Sequence, residues 1–394
     1  MKIAIIGAGA SGLVAAIKCK EKFPEYEVFL FDRMDAVARK VKATGNGKCN
    51  IGNLDSSFER YLHSSFVSGI LKDYDQETTL LSLGIPTKTM YGSGLYPVSE
   101  SASNVVTLLE ERARLLGVNI ILNTRLSEYC LGDGKINLFF DKYQAKFDKV
   151  IFSVGGKSNP NLGSDGSLFE VFRRHSYLVA DLTPGLCPIR VKEDVKALFG
   201  QRFHTMASLF IDGQFVHEEY GEVMFKKDGL SGIVIMNLSS MIAHNKTNDA
   251  KIYLAALNQK NEIVTAKNLF EISKKNHNPL LAYVGEELAA HICKTADISA
   301  DHELSYEECQ KLANIAAAIP FTYLDRYDFS FSQVTIGGIA IENLNGDLSS
   351  KVEDGVYFIG EVIDVDGPCG GYNLRWAIGS ALHLVSHLLF ELAK

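Results

Sequence analysis

The chain has 394 residues, of which 46% are hydrophobic and 22% are charged, as is typical of globular proteins. This length predicts two or three domains rather than a single core. The formal net charge of −7 argues against a nucleic-acid partner, because binding to phosphates needs a basic surface. The seven cysteines include no pair at CxxC spacing, so reduced thiols are favoured over disulfides or a metal site.

Neither end of the sequence predicts a membrane segment. The chain starts with MKIAIIGAG, an apolar run too short to span a bilayer, and we expect no signal peptide. Residues 377–392 are mostly apolar, but Ser380, His383 and His387 interrupt them, which indicates a buried or amphipathic helix. We therefore expect a cytoplasmic protein without a membrane partner. The sequence does not determine its oligomeric state.

The first predicted elements form a βαβ unit. Residues 2–6, KIAII, predict a buried strand, residues 11–22 a helix, and residues 27–31, EVFLF, a second strand. A loop rich in Gly, Asn and Lys then runs from Arg39 to Asn53. Loops of this length in compact domains are usually functional or disordered, so we regard it as a candidate binding loop.

Helices are predicted next, over residues 58–83 and 101–116. Three strand-like runs over residues 118–140 predict a meander, with its clearest turn at Gly132-Asp133-Gly134. A further buried strand, KVIFSV, ends at Val154.

The pattern changes after Pro184. Residues 185–256 contain short strand-like runs with few helix signals, whereas residues 262–319 have helical periodicity. Strand-like runs return over residues 331–342 and 356–359. This order predicts an insertion into the first domain, which the C-terminal residues then complete.

The strongest motif is Gly7-Ala8-Gly9-Ala10-Ser11-Gly12, which matches GxGxxG between a strand and a helix. The glycines permit a tight turn and close approach of the backbone to a pyrophosphate, and the helix N-terminus offers free N–H groups to the phosphates. Asp32, about twenty positions after Gly12, is where an acid binds the ribose hydroxyls. We therefore predict a dinucleotide site.

NAD and FAD share this fingerprint, and two further features favour FAD. The meander leading into KVIFSVGG lies where flavoproteins of the glutathione reductase kind insert one. The run Gly355 to Glu361, GVYFIGE, resembles the second FAD motif of that class, in which the acid binds the ribityl chain.

Two long motifs then resemble one family closely. Residues 40–50, KVKATGNGKCN, and residues 360–374, GEVIDVDGPCGGYNL, are similar to signatures of BaiN-like and aminoacetone oxidase-like bacterial flavoproteins, which are NAD(P)/FAD-dependent oxidoreductases. Residues 155–158, GGKS, and 334–338, VTIGG, also match, and the resemblance covers nearly the whole chain.

The resemblance implies an α/β fold with three parts. A Rossmann-type FAD-binding domain of the glutathione reductase kind comprises residues 1–185 and 325–394. It is interrupted by an inserted β-rich domain, residues 186–256 and 318–324, and by a helical domain, residues 257–317.

The chain departs from the family pattern outside the FAD motifs. Leu95 stands where the family has Arg before the Tyr-Pro pair, and the segment after Glu222 reads Phe225-Lys226-Lys227 in place of Phe-Thr-His. Cofactor binding therefore transfers better than substrate identity. Residues 222–232 are the best candidates for substrate contact, and their alternative role is a hairpin within the inserted domain.

The predicted cofactor-binding residues come from these motifs and from the segments between them. They are Gly7, Gly9, Ala10, Ser11, Gly12, Asp32, Arg33, Arg39, Lys40, Thr44, Gly45, Asn46, Lys48, Cys49, Asn50, Leu126, Gly155, Gly156, Gly360, Glu361, Gly370, Gly371, Tyr372 and Asn373. No catalytic acid or base and no metal ligand is predicted.

Several of these residues have alternative interpretations. Arg39, Lys40 and Lys48 either pair with the pyrophosphate and adenosine or form a solvated loop. Asn46 and Asn50 either bond the flavin edge or hold the loop.

The glycine turn and the cysteines also have two interpretations each. The turn at residues 370–373 either directs a helix N-terminus at the flavin N1 edge or is an ordinary turn. Cys49 and Cys369 are either a redox pair or, more commonly, inert thiols.

The sequence predicts an FAD-dependent oxidoreductase acting on a small molecule, in which the flavin carries the hydride. Only one complete dinucleotide fingerprint is present, so either NAD(P)H docks transiently at the flavin or oxygen reoxidises it. An amine or aminoketone oxidase and an enone reductase both fit. The alternatives are a redox-sensing or binding module and a flavoprotein that modifies tRNA, and the acidic composition disfavours the second.

Overall fold

The computed structural model describes residues 1–247, 249–256 and 265–392. It divides into two compact units, one of Met1–Pro184 with Gln333–Lys394 and one of Gly185–Ser332. The start of the predicted helical domain, residues 257–264, lies outside the described residues. None of the helices in the described ranges is both long enough and apolar enough to cross a membrane.

Both units contain helices and strands. The α-helices, in chain order, are α1 (Ala10–Lys22), α2 (Arg39–Lys42), α3 (Ser64–Leu71), α4 (Gln76–Ser82), α5 (Ala102–Leu115), α6 (Leu168–Arg174), α7 (Ile233–His244), α8 (Ala266–Ser273), α9 (Glu286–Ala296), α10 (Tyr306–Ala317) and α11 (Tyr372–Leu392). The strands, in chain order, are β1 (Lys2–Ile6), β2 (Glu27–Phe31), β3 (Gly52–Asn53), β4 (Thr87–Met90), β5 (Gly94–Pro97), β6 (Asn119–Ile121), β7 (Leu126–Gly132), β8 (Lys135–Phe140), β9 (Gln144–Phe147), β10 (Lys149–Phe152), β11 (Thr183–Gly185), β12 (Ile189–Val191), β13 (Arg202–Ile211), β14 (Gln214–Phe225), β15 (Gly229–Ser231), β16 (Ala250–Leu254), β17 (Ile319–Arg326), β18 (Val334–Ile336) and β19 (Val356–Phe358).

A five-stranded parallel sheet, in the order β19-β10-β1-β2-β6, forms the centre of the first unit. Its middle strand β1 is buried from Ile3 to Ile6, as expected for a continuous apolar run covered on both faces. Helix α1 packs against α11 and α5. The α/β fold with a Rossmann-type domain is therefore confirmed.

The predicted meander is shifted along the chain. It consists of β7, β8 and β9, whereas the run at residues 118–123 contributes β6 to the edge of the parallel sheet. Strand β9 went unpredicted because its sequence, QAKF, has no apolar run, and its position is decided by pairing with β8.

The helix predicted over residues 58–83 is two shorter helices. Helix α4 begins after Asp75, whose side chain accepts a hydrogen bond from the Thr78 backbone N–H. Residues 72–75 separate it from α3, because an aspartate at this position caps a new helix rather than continuing the preceding one.

The second unit contains a closed barrel in the order β12-β15-β14-β13-β16-β17. Residues 185–256 include the long strands β13 and β14 and one α-helix, α7, which the strand-like pattern did not predict. The α7 sequence, IVIMNLSSMIAH, is rich in β-branched residues, and no side chain caps the helix N-terminus. From the sequence alone, such a segment is more typical of a strand. Residues 222–232 form the end of β14 and the short β15, which pair as a hairpin.

Each unit has its own core. Ile3, Phe152 and Trp376 belong to the core of the first unit, and Leu209, Phe321 and Leu312 belong to that of the second. The finer division into three domains stays a prediction.

Candidate functional site

The glycine loop lies at the carboxyl end of β1 and leads into α1. Gly7 has a φ of +104°, and a Cβ added there would lie 2.4 Å from the Ser153 carbonyl oxygen. A Cβ on Gly12 would lie 1.9 Å from the Gly7 carbonyl oxygen. These two glycines are therefore required for the close packing of β1, α1 and the residue after β10.

Gly9 differs from its two neighbours in the motif. A Cβ added at Gly9 would meet no atom within 4 Å, so the fold itself does not require glycine there. Gly9 is the N-cap of α1, and no side chain caps this helix end. Open space beside uncapped N–H groups is what a pyrophosphate needs, so this arrangement fits the phosphates of FAD.

Asp32 follows the end of β2 and faces the glycine loop. Its Oδ2 accepts the Ala8 backbone N–H at 2.8 Å and its Oδ1 accepts the Met34 N–H at 2.8 Å. Burial raises the pKa of the Asp32 carboxyl, although the amides of Met34 and Ala8 act in the opposite direction. A carboxylate held in this way beside the loop fits the predicted contact with ribose hydroxyls.

A cleft with about 540 Å³ of empty space opens beside Asp32, and we call it the adenosine cleft. One wall contains Asp32, Arg33, Arg125 and Leu126, and the other contains Gly155, Gly156, Gly163 and residues 165–169. The predicted residues Leu126, Gly155 and Gly156 therefore line the same cavity as Asp32.

Lys40 and Glu361 lie together at a junction of four chain segments. The Lys40 Nζ is 2.7 Å from Glu361 Oε2 and 2.6 Å from Ser158 Oγ. Glu361 Oε1 accepts hydrogen bonds from the Thr335 backbone N–H at 2.9 Å and from Ser158 Oγ at 3.2 Å. A Cβ on Gly156 would lie 2.3 Å from Thr335 Oγ1, so the GGKS and VTIGG segments meet closely here.

Ser158 and Thr335 were absent from the predicted site residues. Both stand in motifs that matched the family, GGKS and VTIGG, so the signal was present in the sequence. Their contact with Glu361 could not be deduced, because it joins segments that are far apart along the chain.

The three cations of the binding loop do not form one cluster. Arg39 pairs with Asp35 at 3.0 Å, Lys40 pairs with Glu361, and Lys48 pairs with Glu100 at 3.2 Å. Among these three, only Lys40 also contacts Ser158, on the segment that leads into the adenosine cleft wall.

The remaining loop residues shape the backbone. Gly45 and Asn46 are both left-handed, with φ of +56° and +52°, and the Thr44 hydroxyl donates to the Val41 carbonyl. Cys49 is buried and left-handed, and burial raises the pKa of its thiol to about 11. Asn50 lies against the C-terminal motif, since a Cβ on Gly371 would be 2.6 Å from its Oδ1.

The glycine turn before α11 is held by side chains of its own unit. Gly370 and Gly371 have φ of +115° and +97°, and Asn53 Nδ2 donates to the Gly370 carbonyl at 2.8 Å. The Tyr372 hydroxyl donates to Asp55, and Asn373 exchanges hydrogen bonds with the Gly367 backbone. The polar groups of the Tyr372 and Asn373 side chains therefore bond to the protein itself. The backbone of the turn is the part that could contact a cofactor.

The two FAD motifs meet where β19 ends. A Cβ on Gly360 would lie 2.6 Å from Ser11 Oγ, and the Trp376 indole donates to the Gly360 carbonyl at 3.1 Å. The N-terminal and C-terminal motifs consequently form one surface, as an extended dinucleotide requires.

The remaining candidates were histidines for a metal site and cysteines for a redox pair. The rings of His383 and His387, both on α11, lie with their centroids 4.1 Å apart and are tilted by 36°. In the described part of the chain no three His, Cys, Asp or Glu side chains are grouped as metal ligands. Cys369 contacts Gln333, and no disulfide joins the described cysteines.

A model of the HI0933-like protein Rossmann domain family matches residues 1–386. The chain belongs to this family. The match extends over both units, so the insertion in the second unit is part of the family architecture.

Two relatives are similar to this chain over nearly their whole length. The 3-dehydro-bile acid delta(4,6)-reductase of Clostridium scindens is 30% identical, with 95% of this chain and 96% of that protein covered. The ribosomal RNA dihydrouridine synthase of Haemophilus influenzae is 26% identical, with 96% of each covered.

A solved structure of different sequence has the same fold. The 3-ketosteroid delta1-dehydrogenase of Sterolibacterium denitrificans is 10% identical, covers 99% of each chain and has a TM-score of 0.52. This chain is an FAD-dependent oxidoreductase. Its small-molecule chemistry, expected from the sequence, agrees with the name of the bile-acid relative.

Proposed function

We propose that this chain reduces a carbon–carbon double bond conjugated to a carbonyl group in a small molecule. The main support for this proposal is that the names of two full-length relatives describe the same type of reaction. One is a delta(4,6)-reductase of a 3-dehydro bile acid, and the other makes dihydrouridine. In both a 3-oxo-4-ene and a uracil ring, the double bond concerned is conjugated to a carbonyl.

The residues of this chain would bind and orient the cofactor. When bound and reduced by its electron donor, FAD would supply the hydride that such reductions add to the carbon β to the carbonyl, while the α carbon takes a proton. The loop at Gly9 would hold the pyrophosphate, Asp32 the adenosine ribose, and Glu361 the ribityl chain. Gly370 and Gly371 lack side chains, so their backbone would approach the pyrimidine edge of the flavin.

The electron donor that we propose is NADH or NADPH, docking transiently at the flavin. The support is the single GxGxxG fingerprint, which FAD would occupy, so no second nucleotide domain is available. Reoxidation by oxygen is the alternative and would make the protein an oxidase, as an amine or aminoketone substrate would require.

Residues 222–232 are the segment that we propose for substrate contact. They combine an exposed polar hairpin turn at Lys227 and Asp228 with the buried ends of two barrel strands. Such a segment can vary in its turn without loss of the barrel, which suits a specificity element.

The second candidate function is reduction of uridine in ribosomal RNA. The Haemophilus influenzae relative supports it, because the same hydride transfer serves a uracil ring. The net charge of −7 opposes it, since an RNA-binding surface needs an excess of cations. The expected absence of a nucleic-acid partner therefore stays a prediction.

Anaerobic stopped-flow spectroscopy of the purified FAD-loaded protein tests these proposals. NADH and NADPH are mixed with the oxidised protein, and the reduced protein is then mixed with a 3-oxo-4,6-diene bile acid, with protein-free ribosomal RNA, or with air. We expect bleaching by one nicotinamide and rapid reoxidation by the dienone.

Each alternative has its own signature in the same experiment. Reduction by aminoacetone followed by fast reoxidation in air would replace the reductase with an oxidase. Reoxidation by ribosomal RNA but not by the dienone would favour the second candidate. A flavin that no substrate reoxidises faster than air would indicate a redox-sensing module.

A further inference from the structure

Arg33 spans the adenosine cleft from one wall to the other. It directly follows Asp32 after strand β2, and both residues line the cleft. Its guanidinium reaches the opposite wall at residues 159–167, which we call the cover segment. Arg33 was predicted to contact the cofactor, but its polar atoms are directed at the protein.

One side chain makes three bonds to the cover segment. Arg33 Nε donates to the Gly163 carbonyl at 3.1 Å, Nη2 donates to the Pro160 carbonyl at 3.4 Å, and Nη1 forms an ion pair with Asp165. The side chains of Arg33 and Asp165 are only 23% and 30% exposed, so solvent screens this pair less than a surface pair.

Further contacts hold the cover segment in the same position. Asp165 Oδ1 accepts the Ser167 backbone N–H at 3.0 Å, and Arg125 Nη2 lies 4.0 Å from Asp165 Oδ2. A Cβ on Gly163 would lie 3.0 Å from Met34 Cγ, so the cover segment also touches the residue after Arg33.

The cover segment is anchored at both ends and carries left-handed residues between them. The Thr335 hydroxyl accepts the backbone N–H groups of Lys157 and Ser158 on one side, and the buried start of α6 follows on the other. Asn159, Gly163 and Gly166 have φ of +53°, +117° and +72°. The regular backbone bonding within the cover segment is one short 3-10 helix at Pro160–Leu162, so side-chain bonds add to the contacts that keep the segment closed.

We propose that Arg33 and Asp165 form a clasp that holds the cover segment closed over the adenosine of FAD, and that its opening limits FAD release. The inference rests on the proposed placement of adenosine beside Asp32. Arg33 is thereby a positioning residue: it retains the cofactor through the protein rather than by contact. A guanidinium fork suits this task because it can bond two carbonyls and a carboxylate at once.

The test measures FAD release from the holoenzyme, using radiolabelled FAD chased with excess unlabelled FAD. The variants are Arg33→Gln, which removes the charge and the guanidinium, Asp165→Asn, which removes the charge with the same shape, and the double variant. We expect each single variant to release FAD about tenfold faster, since a charged hydrogen bond is lost. The double variant should release it no faster than the quicker single variant, because both remove the same clasp.

Arg173→Gln is the matched control. Arg173 pairs with Glu170 on the neighbouring helix α6, but both side chains are exposed, so its release rate should equal that of the unchanged protein. Equal release rates in Arg33→Gln, Asp165→Asn and the unchanged protein would overturn the clasp.

Asp32→Asn separates failure of the clasp from failure of the cofactor placement. We expect it to weaken FAD binding at equilibrium. If it binds FAD unchanged, the adenosine does not lie in this cleft and the inference falls with the placement. If Asp32→Asn weakens FAD binding while Arg33→Gln and Asp165→Asn leave FAD release unchanged, the adenosine placement stands and the clasp is wrong.

Hydrogen exchange in the FAD-free protein gives a readout independent of the cofactor. The peptide covering residues 159–167 should exchange faster in Arg33→Gln than in the unchanged protein, and the core strand β1 should not change. Arg33→Lys, which keeps the charge but loses the fork, should give an intermediate rate. No change in the exchange of residues 159–167 would contradict the proposal.

Discussion

The ammonium of Lys40 and the carboxylate of Glu361 lie 2.7 Å apart, although 321 positions separate them in the sequence. This pair joins the loop after β2 to the end of β19 and thus links the two halves of the first unit. Both side chains are mostly buried, with 28% and 20% of their surface exposed. The loss of one partner therefore leaves the other charge poorly solvated.

We expect Glu361→Gln to lower the free energy of unfolding of the FAD-free protein by about 1–3 kcal/mol, the cost of leaving a buried charged group without its hydrogen-bond partner. Trp376 is the only tryptophan and is bonded to the Gly360 carbonyl, so its fluorescence in a urea titration reports on this site. Glu27→Gln breaks an exposed pair with Lys2 and should change little. Equal stability of Glu361→Gln and the unchanged protein would mean that the Lys40 pair is not stabilising.

Gly9 and Gly12 should respond in opposite ways to a side chain. Gly9→Val should fold but fail to retain FAD, because its side chain enters the open space beside the α1 N-terminus. Gly12→Ala should destabilise the fold itself, because its Cβ would lie 1.9 Å from the Gly7 carbonyl. Thermal unfolding and the FAD content of the purified variants distinguish the two effects. A folded Gly9→Val protein with bound FAD would contradict the location of the phosphates.

Gly371→Ala should disturb the turn in front of α11. The residue has a φ of +97°, which costs an alanine about 1–3 kcal/mol, and its Cβ would lie 2.1 Å from the Gly52 carbonyl. If the turn donates N–H groups to the flavin pyrimidine edge, the reduction potential of bound FAD should fall, because the displaced turn no longer directs those N–H groups at the reduced anion. Spectroelectrochemistry measures this potential.

Gly69→Ala serves as the control for Gly371→Ala. It lies within helix α3, where a Cβ meets no atom within 4 Å, and should leave the potential unchanged. A Gly371→Ala protein with normal FAD content and an unchanged potential would indicate that the turn serves packing only.

Thiol reactivity should separate Cys49 from Cys130. Burial raises the pKa of the Cys49 thiol to about 11, so at pH 8 only about one molecule in a thousand carries the reactive thiolate. The exposed Cys130 should therefore be alkylated by iodoacetamide much faster at pH 8. The thiolate fraction of Cys49 rises about tenfold for each pH unit up to its pKa. Mass spectrometry of timed samples gives both rates, and rapid labelling of Cys49 at pH 8 would revive the redox-pair hypothesis.

The sequence by itself determined the local parts of the nucleotide domain. Strand β1, helix α1 and strand β2 follow from an apolar run, a glycine turn and a second apolar run, all within the first 31 residues. The fingerprint also predicted Asp32, because the spacing of the acid reflects one helix and one strand of ordinary length. Such features depend on neighbours in the chain, so a local pattern suffices.

Only the tertiary structure decided which distant segments meet. The edge position of β6, the addition of β9 to the meander and the helical state of residues 233–244 depend on pairing and burial. The same holds for the three cations of the binding loop, which find separate acidic partners at Asp35, Glu361 and Glu100. Charge in a loop reveals that a partner is needed, but the partner itself is chosen by the fold, because an ion pair forms only where packing brings two segments within a few ångströms.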